Sequence, residues 1–209
     1  MPLPADPEGE SPTALRRKRE IALAARSELL EKGFEGLRMR AVAERCGINV
    51  ATLDYHAGGK DGLVALVARS LAEDFESRRL RTSRDGMSAL EELEQELRDF
   101  RASRLEQPDI HPIMSILSRR APNDPQIARH ILPMKAAWHG RIAAILRRGA
   151  ADGSLRAGLD PAPAARLFIW SLLSLGSPEQ HTLDFPQHAT EILKLFASGP
   201  VGRFKGPDL

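Results

Sequence analysis

Residues Leu37–Val67 read LRMRAVAERCGINVATLDYHAGGKDGLVALV, and the spacing of apolar residues around Gly47 decides the fold. Met39, Val42, Ala43 and Cys46 recur at i, i+3, i+4 and i+7, so a short helix carries one apolar face, with Arg38, Arg40, Glu44 and Arg45 mostly off it. Gly47 ends that helix, because glycine enters the left-handed C′ conformation without strain. Asn49 then caps a second helix, from Val50 to about His56, whose inward residue is Leu53 and whose other side chains stay free for contacts. Two short helices at a sharp turn make a helix-turn-helix, an arrangement with which proteins read DNA.

Working outward, Leu15 opens an alanine-rich helix with Ile21, Ala25 and Leu29 on one face and Gly33 ending it before Phe34. Lys60 to about Leu80 carries Leu63, Leu66, Val67, Leu71 and Phe75 at helical spacing. Gly58, Gly59 and Gly62 are expected to loosen the joint ahead of it. Further on, Leu90, Leu93, Leu97 and Phe100 mark another helix, and a shorter one runs from His111 to about Arg120. Asn123 or Asp124, followed by Pro125, starts the next, which Pro133 is expected to kink or divide before it resumes through Trp138, Ile142 and Leu146. Asp160-Pro161 opens a helix that is apolar nearly all round from Ala165 to Gly176, and a last amphipathic helix spans about Pro186 to Phe196. No segment alternates with period two. The chain therefore reads as all-α, with about nine helices. They divide into a disordered tail at 1–13, a three-helix DNA-binding domain at 14–60, a larger helical effector-binding and dimerisation domain at 61–198, and a second tail at 199–209.

Composition narrows the function. A single cysteine, Cys46, rules out an internal disulfide framework; on an apolar helix face it reads as a small buried hydrophobe in a reducing, hence cytoplasmic, protein. No apolar run approaches the roughly 20 residues of a membrane span, and the N-terminus lacks the pattern of a signal peptide. Net charge is only +2, but residues 13–60 hold ten bases against six acids, whereas residues 1–12 hold three acids and no base. Basic charge is densest around the reading head, as phosphate binding requires. Arg16, Arg17, Lys18 and Arg19 read either as a solvated helix face or as a run that tracks a phosphate strand. Histidines 111, 130, 139, 181 and 188 form no i, i+4 pair and have no cysteine partner, so no metal or other cofactor is expected. The string Gly58-Gly59-Lys60 is followed by Asp61 where a phosphate loop needs Ser or Thr. With no glycine-flanked nucleophile or dinucleotide fingerprint either, enzyme activity is not expected.

With these residues in hand, the first 75 positions resemble the TetR family of bacterial transcriptional regulators. The resemblance rests on Gly33-Phe34, Val42-Ala43 followed by Gly47-Ile48, Thr52-Leu53, His56, and Lys60-Asp61 followed by Leu63. It implies a homodimer whose two heads bind a palindromic double-stranded DNA operator, with a C-terminal domain that dimerises and holds a small-molecule effector, and a function as a ligand-released repressor. Carried over by position, Arg40, Val50, Ala51, Thr52, Tyr55 and His56 match places where the family touches bases or phosphates, and Lys60 matches a phosphate contact. The chemistry suits the roles: Arg grips guanine bidentately, and Thr bonds a base edge or touches a thymine methyl. His56 serves equally well to close a helix end.

Three positions depart from the family pattern. Asp54 stands where the family usually has tyrosine, Ala57 where an aromatic plugs the head's core, and Arg38-Met39 where a threonine caps the helix. These departures carry an alternative reading: a TetR-like helical ligand-binding or interaction protein whose operator binding is weakened or lost.

In the larger domain, Phe100, Ile113, Ile116, Leu117, Trp138 and Ile142 are candidates to line a largely apolar effector pocket, although spacing alone predicts core for each. Arg104, His111 and His139 are candidates for its polar contacts. Leu167, Phe168, Trp170, Leu172 and Leu175, with Ile192 and Phe196, are the expected dimer seam, a four-helix bundle between two copies.

Overall fold

The computed structural model describes residues 10–175 and 184–205. Among these the chain is all-α, with nine α-helices and one short 3₁₀ turn: α1 (Pro12–Gly36), α2 (Met39–Arg45), α3 (Val50–Ala57), α4 (Gly59–Arg79), α5 (Ala89–Glu106), α6 (Ile110–Arg120), α7 (Pro125–Asp152), α8 (Pro161–Ser174) and α9 (Phe185–Lys194). Residues 1–9 of the expected N-terminal tail, His181, the end of the expected apolar helix at Gly176 and residues 206–209 lie outside the described residues.

The helix ends follow local chemistry. The Ser11 hydroxyl accepts from the Ala14 amide with Pro12 at the first helical position, so α1 begins inside the stretch expected to be tail. Gly33 (φ 67°) interrupts α1 where its end was expected, and a further turn reaches Gly36. Ser88 and Glu91 form a capping box on α5. Asp124 accepts from the Gln126 and Ile127 amides ahead of α7, and Asp160 caps α8. Of the kink or division expected at Pro133, the division does not occur: α7 runs as one helix through it. Proline removes one amide donor, and a helix of 28 residues keeps its other hydrogen bonds on either side.

Two compact units emerge. The first joins residues up to Ser77 with Pro108–Lys135. Its core combines Ile21, Ala25 and Leu29 of α1, Val42 of α2, Leu53 of α3 and Leu63, Val67 and Leu71 of α4 with Ile110, Ile113 and Leu117 of α6 and Ile127 and Ile131 of α7. Below this apolar layer, Arg26 (3 % exposed) donates to Asp74 (5 % exposed) at 2.7 Å. Arg19 reaches the same carboxylate at 2.5 Å, and Asp109 stands 3.6 Å from Arg26. The Nε and Nη2 atoms of Arg26 are buried without a hydrogen-bond partner.

The second unit comprises Arg78–Gln107 and Ala136 onward. Leu93, Leu97 and Phe100 of α5 pack with Ile142 and Leu146 of α7, Phe168, Ile169 and Leu172 of α8, and Leu193 and Phe196. An isolated antiparallel bridge, Leu155 with Ala197, closes the loop before α8. One expectation is corrected here. In the stretch from Gly199 that read as tail, Phe204 is 4 % exposed in this core. Its amide donates to Thr190 Oγ1 at 2.9 Å, Phe185 packs beside it, and the Arg98 guanidinium lies over its ring. A lone aromatic after Gly and Pro carries no periodicity to reveal that role.

Candidate nucleic-acid interface

α2 and α3 meet at Gly47 (φ 65°), where the Gly47 and Ile48 amides donate back to Glu44 and Ala43. Arg38 offers α2 no side-chain cap, whereas the Asn49 side chain accepts from the Thr52 amide at 2.7 Å. Val42, Ala43 and Leu53, each at most 1 % exposed, hold both helices against α1 and α4. That anchoring leaves α3 with one open face. Val50, Ala51, Asp54 and Tyr55 are exposed, Tyr55 to 86 %, while Thr52 and His56 are half-buried at its flanks. The Tyr55 and His56 rings meet edge to face, with centroids 5.2 Å apart.

The cations around this face are mostly paired. Arg16 and Arg17 reach Glu20, Lys18 reaches Glu10, and Arg40 reaches Glu44 at 3.1 Å. Solvent-exposed pairs of this kind bind weakly, so Arg16, Arg17 and Arg40 remain available to a phosphate. Lys60 is exposed on the first turn of α4; its ammonium lies over the Phe34 ring at 4.5 Å and donates to the Phe34 carbonyl. The Arg120 guanidinium also packs on Phe34, 4.2 Å from the centroid, and pairs with Glu35. Lys32, Arg38, Arg40 and Glu44 line a groove between α1 and α2.

Residues invisible to motif reasoning position the head. Glu28, 2 % exposed, accepts from Arg45 Nε and Nη2 at 3.0 and 2.8 Å and from Lys32 at 2.9 Å, pinning the end of α2 to α1. The Lys32 hydrogen bond is the main reason its carboxyl sits below the usual range, with Arg45 adding to it against the opposing effect of burial. In sequence both residues read as ordinary solvated charges. On α4, Asp61 pairs with Arg129 at 2.8 Å and faces His130 at 3.8 Å.

The joint between α3 and α4 runs through three glycines of two kinds. Gly58 and Gly59 both take left-handed conformations (φ 68° and 83°), and a Cβ on Gly62 would lie 1.4 Å from the Ala57 carbonyl oxygen. Gly62 thus marks a close approach of two backbones, whereas Gly58 and Gly59 serve the left-handed turn and have open space around them. Ala57 itself is half-buried and packs on the first core.

Residues 21–67 match the family model described as bacterial regulatory proteins, tetR family. That match spans α1 from Ile21 through the helix-turn-helix into α4. Solved structures agree in fold. A TetR transcription regulator from Haloarcula marismortui is 19 % identical over 88 % of this chain and 99 % of its own, at a TM-score of 0.72. AibR, crystallised with isovaleryl coenzyme A and operator DNA, is 20 % identical over 87 % and 98 %, at 0.71. A protein from Saccharomonospora viridis crystallised with choline is 17 % identical over 87 % and 95 %, at 0.75. No curated protein matches in sequence. Among the described residues, no helix is long and apolar enough to cross a membrane.

The effector candidates fall in both units. Ile113 and Leu117 are fully buried in the first core, Ile116 packs on it, and His111 stacks edge to face with Phe75. Phe100 and Ile142 belong to the second core, with Trp138 packed against it and His139 half-buried. Arg104 donates to the Leu175 carbonyl, and burial pushes its guanidinium below the ordinary value. Beside them stands a polar cluster that sequence reasoning missed. Arg84 reaches Asp99 at 2.6 Å and Glu96 at 3.4 Å, and the Trp138 indole donates to Glu96. Burial, opposed by Arg141 and Arg84, raises the Glu96 carboxyl. Nothing in the spacing of the acids at 92, 94, 96 and 99 distinguishes the pair that meets Arg84. Of the expected dimer seam, Phe168, Leu172, Leu175, Ile192 and Phe196 are covered within the chain's own unit. Leu167 and Trp170, at 57 % and 62 % exposure, are open, together with Leu173.

Proposed function

We propose that this protein is a ligand-responsive transcriptional repressor that binds a palindromic operator as a homodimer and leaves it when a small-molecule effector binds. The open face of α3, held on a buried scaffold inside the segment that matches the family model, carries this reading. Residues 14–60 serve as the reading head and 61–198 as the effector and dimer part, in the cytoplasm. Val50, Ala51, Thr52, Tyr55 and His56 meet base edges or backbone, while Arg16, Arg17, Lys18, Arg40 and Lys60 meet phosphates. The neighbours crystallised with isovaleryl coenzyme A and with choline support a small-molecule effector. Phe100, Trp138 and Ile142, with Arg104 and His139, are its proposed contacts in the second unit. An effector shifts DNA affinity only as far as it prefers the unbound arrangement of the heads.

Selection from a random DNA pool is expected to return a palindrome whose half-sites lie roughly 34 Å apart, with affinity falling steeply between about 50 and 200 mM salt. A second reading, in which the fold survives without operator specificity, is favoured by the acid on the α3 face; a pool without enrichment would establish it. Dimerisation is supported by the solvent-facing Leu167, Trp170 and Leu173 of α8. A Trp170→Arg variant places a charge on both sides of a two-fold seam. It is expected to weaken self-association about a hundredfold or more by light scattering, with the melting temperature of the monomer retained. An unchanged dimer would remove α8 from the interface.

A further inference from the structure

Four side chains share the solvent face of α3: Val50, Ala51, Asp54 and Tyr55, at i, i+1, i+4 and i+5. Three of them suit a major groove, where methyl groups and a phenol find thymine methyls, base edges and phosphates. The fourth is an acid. The other acids of the head have cationic partners: Glu20 with Arg17, Glu28 with Lys32 and Arg45, Glu31 with Arg45, Glu35 with Arg120, and Glu44 with Arg40. Asp54 has no ion pair and no side-chain hydrogen bond among the described residues, and it projects from the middle of the face that the proposed function turns towards DNA.

A carboxylate only accepts hydrogen bonds. On the major-groove floor the donors are the exocyclic amino groups of cytosine and adenine; phosphates, O6, O4 and N7 all repel an acid. Adenine sets its N7 acceptor beside its amino group, so the second carboxylate oxygen meets a lone pair there. Cytosine presents N4 with no acceptor on its own major-groove edge. We infer that Asp54 is a specificity-determining residue that accepts a hydrogen bond from the N4 amino group of one cytosine in each operator half-site. This assignment rests on the DNA-binding reading above. It turns the departure from tyrosine at this position into a base preference, and it accounts for an unpaired acid on a face otherwise neutral.

The test is selection from one random double-stranded pool by the full-length wild type and by Asp54→Asn and Asp54→Ala, with melting temperatures confirming that each is folded. The wild type is expected to prefer cytosine roughly tenfold or more at one position per half-site. Asp54→Asn is expected to move that position to adenine, whose N6 and N7 match an amide bidentately, while the other positions keep their bases. Asp54→Ala should flatten it alone. Identical base preferences in all three proteins, with Asp54→Ala merely binding every sequence more tightly, would overturn the assignment and leave Asp54 as a general repulsive charge. A wild type that selects nothing would instead sink the DNA-binding reading itself, and the inference with it.

Discussion

Replacing Gly62 with alanine is expected to cost about 3 kcal/mol of stability and to reduce operator affinity about tenfold or more. The new Cβ would lie 1.4 Å from the Ala57 carbonyl oxygen and 2.5 Å from its carbon. Both are backbone atoms, so no rotamer relieves the clash. Either the start of α4 or the end of α3 must move, and Lys60 and the Tyr55–His56 pair stand on those two segments. Gly140→Ala supplies the control, because that glycine lies within α7 with open space around it. There the same substitution is expected to raise stability by about 0.5–1 kcal/mol through helix propensity alone. Urea midpoints and operator titration of both variants decide the matter; a Gly62→Ala protein with wild-type stability would refute the close approach.

The second large effect lies at Asp74. Removing its carboxylate with Asp74→Ala leaves Arg26, whose side chain is 4 % exposed and already has two nitrogens without partners, facing only the more distant Asp109 at 3.6 Å. Breaking one side of a buried ion pair costs about 3–5 kcal/mol, whereas replacing both partners with apolar residues of similar volume is often neutral. Arg26→Met combined with Asp74→Leu is therefore expected to recover most of the loss. A drop below about 1 kcal/mol for the single variant would show that the pair contributes little. Burial pushes the Asp74 carboxyl up, but hydrogen bonds from Arg19 and Arg26 outweigh it and hold the folded value below that of the unfolded chain. A carboxyl with a depressed folded value contributes its full stability above its unfolded value, and the contribution drains away as pH falls through the folded one. Stability of the wild type should thus fall more steeply than that of the double variant below about pH 4.

How much of this was legible in the sequence depended on whether a residue acts through period or through partner. Val42, Gly47, Leu53 and Leu63 announce the helix-turn-helix because burial on one helix face imposes a spacing, and Asn49 announces its cap because capping is a local bond. Glu28, Arg45, Arg26 and Asp74 announce nothing. Each pairs across 17 to 48 positions of sequence, and a charge destined for burial looks the same as a solvated one until the fold brings its partner. The role of Gly62 was hidden for a related reason: a glycine marks a permissive turn and a close approach alike, and only the neighbour's distance tells them apart. At the candidate interface, the identity of the exposed residues was readable, but the isolation of Asp54 was not.

The first unit has a consequence for how the protein is made. Its core is not finished by the N-terminal helices, because Leu29, Leu63 and Leu71 pack in one cluster with Ile113, Leu117, Ile127 and Ile131. On a ribosome adding roughly 5–20 residues per second, the chain continues for several seconds after Ser77 before Ile131 is joined. For that interval the N-terminal helices have an unfinished apolar surface, and the second unit's α5 is synthesised in between. The helices α1–α4 are therefore translated before the partners that complete their core, which cannot close until the chain has grown past α6.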